Sequence, residues 1–241
     1  MERLSKKGRP AVSAIIAAAG SAARMNGLDK QMLHIEGVPV VVHSILAFSG
    51  IARVAEIVVA CREEDIPEYY AMVQAFGLEK VRQIVAGGVT RQDSVFRAVA
   101  ACDPEAEYFA VHDGARPLVR AESIEACIDA AILHGAAAAA VPVKDTIKVC
   151  DRDGFVVSTP NRDTLFAVQT PQIFAAERYR AAMQQAIGRG ASYTDDCQLM
   201  ERAGHPVFMS QGSYDNIKIT TPEDIPHAQA ILAFRTGGLD R

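Results

Sequence analysis

The sequence predicts an α/β fold with a Rossmann-like, mainly parallel sheet that is covered by helices on both faces. Short apolar runs alternate with helical patterns along most of the 241 residues, and this alternation is typical of a parallel sheet with crossover helices. The apolar runs are continuous, which indicates strands buried on both faces. Because 49% of the residues are hydrophobic and only 22% are charged, the chain can form a sizeable core.

Five strands are predicted before Pro142, at Val12 to Ala18, Ile57 to Cys61, Val81 to Val85, Tyr108 to His112 and Ala136 to Val141. Four helices are predicted between them, at Pro39 to Ser49, Ile66 to Phe76, the capping box at Thr90 to about Ala101, and Ile124 to His134. Ligands of parallel sheets bind beyond the carboxyl ends of the strands. We therefore expect Gly20, Gly88 and Asp113 to face one crevice.

The pattern changes after Pro142, where a hairpin is predicted. Its strands are Thr146 to Cys150 and Phe155 to Thr159, joined by the turn at 151–154. The hairpin has too few apolar residues for a core of its own. We therefore predict a single domain over 1–241, with a protruding β-arm at roughly 143–170. Later elements are predicted as helices at Ala175 to Ile187 and Asp195 to Ala203, a strand at Val207 to Ser210, and a helix opened by Thr221 to Asp224.

Charge and cysteine usage argue against several classes of partner. The net charge of −4 at pH 7 gives no general attraction for nucleic acid or for an anionic membrane, so small phosphorylated ligands are expected. The five cysteines are scattered without a C-x-x-C pair, which argues against a zinc site or a disulfide framework. We expect reduced thiols in a cytoplasmic protein. The apolar run Ala11 to Ala19 is too short to span a bilayer.

The first predicted strand leads into the small-residue stretch Ala17 to Met25. Small residues let backbone N–H groups approach a polyphosphate closely, and the cations Arg24 and Lys30 can neutralise it. A nucleotide-handling loop is one interpretation. An alanine-rich turn between a strand and a helix is the other, because short glycine patterns also match by chance.

Seven motifs follow one another along nearly the whole chain: AAAGSAARM with Lys30-Gln31, GGVTRQDSV from Gly87, VHDGARP from Val111, VPVKDTIK from Val141, VQTPQIF from Val168, TDD from Thr194 and SYDNIKITTPED from Ser213. Together they resemble the 2-C-methyl-D-erythritol 4-phosphate cytidylyltransferases of isoprenoid biosynthesis, over about residues 11–235. The resemblance implies transfer of CMP from CTP to methylerythritol phosphate, with release of pyrophosphate. It also implies Mg²⁺ as the divalent cation and a homodimer formed through the β-arm.

The resemblance implies that the nucleotide is bound mainly by the first two motifs. Arg24 and Lys30 are implied to contact the triphosphate and to stabilise the transition state. The residues implied to contact the cytosine ring and ribose are Ala18, Ala19, Gly20, Gly88 and Ser94. Arg91 belongs to the same set, and it is equally compatible with holding the loop through a carboxylate.

The methylerythritol phosphate is implied to be bound by a second set of residues: Asp113, Arg116, Thr146, Arg162, Thr170, Thr194 and Lys218. Hydroxyl and guanidinium groups suit a polyol phosphate. Arg162 and Lys218 are implied to place it for attack, with Arg162 reaching the active site of the neighbouring subunit. Asp113 is also the candidate for orienting Mg²⁺, and a merely capping aspartate is the alternative. His112 is expected to be a packed core residue.

The chain departs from the family pattern at three points. Ala22 stands where the first loop usually has a second glycine, the spacing from Arg24 to Lys30 is one residue shorter than the common form, and Val89 occupies a place often taken by aspartate. Two other functions stay open at this point. One is a ribitol 5-phosphate cytidylyltransferase, and the other is a non-catalytic nucleotide-binding or assembly module.

Overall fold

The structure, a computed structural model, describes residues 11–20 and 29–237. Its strands, in chain order, are β1 (Val12–Ala17), β2 (His34–Ile35), β3 (Val38–Pro39), β4 (Val54–Cys61), β5 (Val81–Ala86), β6 (Tyr108–Asp113), β7 (Ala136–Pro142), β8 (Val149–Cys150), β9 (Val156–Ser158), β10 (Phe166–Ala175) and β11 (Phe208–Gln211). The helices are α1 (Val40–Ser49), α2 (Ile66–Ala75), α3 (Arg91–Ala101), α4 (Ala121–His134), α5 (Ala176–Arg189), α6 (Asp196–Arg202) and α7 (Asp224–Gly237). Short 3₁₀ helices lie at Glu63–Asp65 and Arg162–Thr164.

The main sheet has seven strands in the order β11-β7-β10-β6-β1-β4-β5. β1 pairs in parallel with both β4 and β6, and the β4–β5 and β7–β11 pairs are also parallel. β10 is antiparallel to its neighbours β6 and β7. The prediction of a mainly parallel sheet is confirmed.

Helices cover both faces of this sheet, as predicted. On one face, Ile16 of β1 belongs to the same apolar cluster as residues of α1, α2 and α4. On the other face, Ile15 belongs to a cluster with residues of α3, α5 and α6. Successive side chains of a strand point to opposite faces, so one short apolar run serves both cores. α7 packs in a third, smaller cluster that includes Ala228 and Ile219.

Two helix boundaries follow the local chemistry predicted from the sequence. At the start of α3, the Thr90 hydroxyl accepts a hydrogen bond from the Asp93 N–H at 3.0 Å, and the Asp93 carboxylate accepts one from the Thr90 N–H at 3.1 Å. This reciprocal pair is the predicted capping box. α4 ends at Gly135 with φ = 87°, a left-handed conformation that favours glycine.

β10 was not among the strands expected from the sequence. Its polar residues Gln169, Thr170 and Gln172 are buried, and its pairing with β7 skips residues between Val168 and Gln172. Pro171 lies within that interruption and has no N–H to give to a strand ladder. A buried polar strand broken by proline has neither the alternation nor the apolar run that identifies a strand.

The hairpin protrudes between the end of β7 and the start of β10, but its ladder is shorter than predicted. Only β8 and β9 pair, over two and three residues, because an isolated two-stranded sheet has no core to extend it. The last part of the predicted 143–170 range belongs to β10 of the main sheet. Among the described residues, no helix is long and apolar enough to cross a membrane.

Candidate active site

A cavity of about 330 Å³ lies beyond the carboxyl ends of β1 and β6. Eight residues predicted for the site line it: Ala19, Gly20, Lys30, Gly88, Arg91, Ser94, Asp113 and Lys218. They come from four separate stretches of sequence, and the sheet register brings them together, since Ala17 at the end of β1 pairs with Asp113 at the end of β6. The predicted crevice is confirmed.

The double glycine after β5 allows the second loop to approach the first. A Cβ on Gly87 would lie 2.3 Å from the Cβ of Ala19, and one on Gly88 would lie 2.2 Å from the Cβ of Asp93. Both distances are shorter than any real contact, so only glycine fits here. Gly88 lines the cavity, so at this position no side chain separates the backbone from a ligand.

Ser94 lines the cavity and also holds this second loop in place. Its hydroxyl accepts a hydrogen bond from the Gly88 N–H at 3.0 Å and donates one to the Thr90 carbonyl at 2.9 Å. The proton of the hydroxyl is thus already committed, and one acceptor lone pair remains. Any contact from Ser94 to a nucleotide must be as an acceptor while these two bonds persist.

Asp113 is the electrostatic centre of the cavity. Its carboxylate receives Lys218 Nζ at 2.7 Å and Arg91 Nε at 3.1 Å, and Arg116 Nε lies 3.8 Å away. Burial alone would raise the pKa of Asp113, but the charges of Arg91, Lys218 and Arg116, with the Lys218 hydrogen bond, lower it well below its usual range. Asp113 is therefore an anion around which cations are gathered, and this is a larger role than capping.

Arg91 bridges two carboxylates, as the alternative from the sequence allowed. Its Nη1 lies 2.6 Å from Asp196, and Asp196 also accepts a hydrogen bond from the buried hydroxyl of Tyr179. Burial lowers the pKa of Arg91, but the charges of Asp196 and Asp113 outweigh burial and raise it above its ordinary value. Arg91 thus ties α3 to β6 and α6 while one side of it lines the cavity.

Lys218 lies in a polar segment that is held in place by hydrogen bonds to β10. Asn216 is fully buried, and its amide donates to the Gln169 side chain at 3.2 Å and to the Thr170 carbonyl at 2.9 Å. Arg116 donates to the Asn216 carbonyl at 2.7 Å. Gln169 and Thr170 of β10 therefore hold the segment that carries the lysine.

A buried hydrogen-bonded chain supports Asp113 from the protein interior. The Asp113 N–H donates to the Thr170 hydroxyl at 3.1 Å, Thr170 lies 3.0 Å from His112 Nδ1, and His112 Nε2 lies 3.2 Å from the Arg116 carbonyl. Because a carbonyl can only accept, Nε2 carries the imidazole proton and the Thr170 hydroxyl donates to Nδ1. Burial lowers the pKa of His112 to about 4, so the imidazole is neutral at pH 7. The expectation of a packed histidine is confirmed, and Thr170 is committed to this chain.

The remaining predicted residues lie at different distances from the cavity. Ala18 is buried behind the lining. Thr146 and Arg162 are exposed on the arm, where Arg162 donates to the Lys144 carbonyl at 2.9 Å. Thr194 is exposed before α6, and its N–H donates to Gln198 at 3.0 Å. Arg24 and Ala22 lie outside the described residues.

Two residues of the site escaped the sequence reasoning. Asp196 belongs to the TDD motif but has no predicted role, although it is the buried partner of Arg91. Gln31 lines the cavity and is only 2% exposed, and its side-chain oxygen has no hydrogen-bond partner within residues 11–20 and 29–237. The sequence around Asp196 carries no signal for its role, because its partner Arg91 lies 105 residues away. For Gln31, the available signal is its position next to Lys30.

The Asp113 carboxylate is the kind of oxygen ligand that a magnesium ion arriving with phosphate uses. Among the described residues, Asp113 is the only carboxylate lining the cavity, and no cluster of three or more His, Cys, Asp or Glu is placed to hold a metal. Mg²⁺ is usually held by one or two carboxylates together with substrate phosphates and water. The residues present fit a shared site of this kind and do not form an all-protein cage.

Comparison with known proteins gives a consistent result. A family model for 2-C-methyl-D-erythritol 4-phosphate cytidylyltransferase matches residues 12–234. The protein of that name from Caldanaerobacter subterraneus subsp. tengcongensis is 47% identical over 92% of this chain and 98% of its own length, and the one from Pelotomaculum thermopropionicum is 45% identical over 95% and 97%. The crystal structure of 4-diphosphocytidyl-2C-methyl-D-erythritol synthase from Anaerococcus prevotii aligns with a TM-score of 0.84 at 33% identity, covering 96% of this chain and 99% of that one.

Proposed function

This chain belongs to the 2-C-methyl-D-erythritol 4-phosphate cytidylyltransferase family, and from that premise we propose how its residues transfer CMP from CTP to 2-C-methyl-D-erythritol 4-phosphate. The products are 4-diphosphocytidyl-2-C-methyl-D-erythritol and pyrophosphate, in isoprenoid precursor biosynthesis. A phosphate oxygen of the methylerythritol substrate attacks the α-phosphorus of CTP. The bond to the β-phosphate oxygen breaks, and pyrophosphate leaves with the electron pair.

The observation that carries the assignment of roles is the cation-rich cavity around Asp113. In an in-line phosphoryl transfer the protein forms no covalent bond with the substrates. Its contribution to the rate comes mainly from positioning the substrates and stabilising their charge. Lys30 contacts the triphosphate from the first loop, together with Arg24. Lys218, which lines the cavity and whose Nζ lies 2.7 Å from Asp113, holds the phosphate of the second substrate near the attacked phosphorus.

The nucleotide base and ribose are bound by the loops of small residues. Ala18, Ala19 and Gly20 follow β1, Gly88 follows β5, and Ser94 offers an acceptor between them. Backbone groups at close approach accept the edge of a pyrimidine and leave no room for a purine. Arg91 has the supporting role of fixing α3 against β6 and α6.

Mg²⁺ is the divalent cation of this proposal. Asp113 would hold it together with phosphate oxygens, and the ion would supply positive charge that neutralises the triphosphate. The chain's own cations orient the same phosphates. We place the reaction in the cytoplasm, which agrees with the five free cysteines.

The binding site for the second substrate is completed by the arm of a partner subunit. The arm exposes apolar side chains, with Phe155 at 74% and Val157 at 66% exposure, and a homodimer would bury them. Arg162 and Thr146 on the arm then contact the methylerythritol phosphate in the neighbouring site. The same substrate site has three further residues from within the chain. Arg116 and Thr170 support it through Asp113, and Thr194 lies at its border.

The test is incubation of the protein with CTP, Mg²⁺ and a panel of polyol phosphates. The mass of the product and the amount of pyrophosphate released are then measured. We expect product with methylerythritol phosphate and little with ribitol 5-phosphate. Preference for ribitol 5-phosphate would identify the alternative cytidylyltransferase. If no polyol phosphate in the panel leads to pyrophosphate release, the result would favour a non-catalytic module. Equal rates with ATP would remove the base-reading role of Gly20 and Gly88.

A further inference from the structure

An ion-pair cluster lies beside the cavity and takes no part in the roles assigned above. Arg62 follows directly after β4, at the same carboxyl edge of the sheet as the site. It forms a two-pronged contact with Asp65, at 2.6 and 3.1 Å, and its Nη2 lies 2.8 Å from Asp29. The Asp29 and Asp65 side chains are 15% and 12% exposed, so the cluster is shielded from solvent enough to persist.

Asp29 is the residue immediately before Lys30, and its own bonds fix the local chain. Its second carboxylate oxygen accepts the Gln31 N–H at 2.9 Å, and its carbonyl accepts the Met32 N–H at 3.0 Å. The Gln31 carbonyl in turn accepts the Val41 N–H at 3.1 Å. One carboxylate therefore connects the turn that carries Lys30 to Arg62, which follows β4.

We propose that Arg62 is a positioning residue for Lys30, acting through Asp29 to fix the turn that presents the lysine to the cavity. Lysine has a flexible four-carbon stem and a compact charge. When the backbone of Lys30 is fixed, the side chain loses less conformational freedom as its ammonium binds a phosphate. A displacement of about 1 Å at such a group can cost up to 10²-fold in rate. The inference rests on the proposed function only through the role given to Lys30.

The chain supplies a matched control at the opposite end of β4. Arg53 precedes the strand and also bridges two carboxylates, those of Glu125 and Asp129. Its side chain is 14% exposed, against 33% for Arg62. Loss of an ion-pair cluster alone would therefore destabilise the protein at least as much in Arg53→Ala as in Arg62→Ala.

The experiment compares Arg62→Ala, Asp29→Asn, the double variant and Arg53→Ala by steady-state kinetics and thermal unfolding. We expect kcat to fall about tenfold in Arg62→Ala, with CTP binding changed less than twofold, and Arg62→Lys to recover part of the loss. The double variant should be no slower than the slower single variant, because both single variants break the same Arg62–Asp29 contact. Arg53→Ala should keep the wild-type kcat.

A second readout is independent of activity. Hydrogen exchange of the Gln31 amide, which Asp29 protects, should accelerate in Arg62→Ala and stay unchanged in Arg53→Ala. Wild-type kcat and wild-type Gln31 exchange in Arg62→Ala would overturn the inference. If Lys30→Ala keeps normal kcat while Gln31 exchange accelerates in Arg62→Ala, the cluster holds the turn but the catalytic role of Lys30, and with it the positioning role, is wrong.

Discussion

The two halves of the proposed site are built in opposite ways. Around Asp113, the side chains are enclosed and bonded to one another, and each cation has an anionic or carbonyl partner within the same chain. On the arm, the Arg162 side chain donates one hydrogen bond within the described part of the chain, to the Lys144 carbonyl, and the neighbouring apolar side chains face solvent. The difference indicates that the fold preorganises the first half, whereas under the proposed function the second half depends on a partner subunit to cover it.

The largest effect is expected from removing the centre of the enclosed half. Asp113→Ala leaves Arg91, Lys218 and Arg116 facing one another without their anion. We expect activity to be lost and the free energy of unfolding to fall by about 3 to 5 kcal/mol, as when one partner of a buried pair is removed. Denaturant unfolding and pyrophosphate release measure the two effects.

The control for this prediction is Asp215→Ala. Asp215 also binds two arginines, Arg120 and Arg235, but its side chain is 36% exposed. It should change both quantities much less than Asp113→Ala. Equal effects of the two variants would show that the cluster around Asp113 is no more important than a surface network.

The second prediction joins the two halves. Arg162→Ala and Lys218→Ala should each lower kcat by about 10² to 10³-fold, because each removes a cation aimed at the reacting phosphates. If Arg162 serves the other subunit, a mixed dimer has one site missing both groups and one intact site. Mixing equal amounts of the variants should then restore up to about a quarter of wild-type activity, for random exchange and independent sites.

The same mixture decides the assignment of Arg162. Exchange of subunits is verified first, with differently tagged chains. No recovery after verified exchange would mean that Arg162 acts within its own chain or only holds the arm. Each variant mixed with itself is the control and should stay inactive.

The third prediction concerns the buried chain behind Asp113. His112 has its pKa lowered to about 4 by burial, below the value near 6.5 of an unfolded chain. The unfolded state therefore binds a proton first as the pH falls, so this part of the stability is complete above about pH 6.5 and is lost toward pH 4, by about 3 kcal/mol. His112→Gln should flatten the stability profile between these values, and an unchanged slope would contradict the prediction.

The smallest effect on stability is expected on the arm. Phe155→Ser removes a side chain that is 74% exposed, so the free energy of unfolding of the single chain should change by less than about 0.5 kcal/mol. Sedimentation should nevertheless show weaker dimerisation. Leu133→Ser, at a position 78% exposed on α4, is the control, and equal dimerisation of the two variants would remove the arm from the interface.

Sequence reasoning worked best where the signal is local. The capping box of Thr90 and Asp93 and the glycine after α4 are read from a few neighbouring residues, and both are present as predicted. The cavity could be predicted because parallel strands place their carboxyl ends together. β10 could not, because the partners of its buried polar residues lie elsewhere in the sequence: Asp113 and Asn216 bind Thr170, and Asp195 binds Gln172.

The sequence by itself determined the fold class, the edge of the sheet at which the site forms, and the family to which the chain belongs. Those properties depend on periodicity, on turn residues and on motifs, all of which are local. Only the tertiary structure decided that Arg91 bridges Asp113 and Asp196, that Thr170 and His112 support Asp113, and that Arg62 reaches Asp29. Each of these is a contact between residues that are distant in sequence. The packing of strands and helices in three dimensions decides which of them meet.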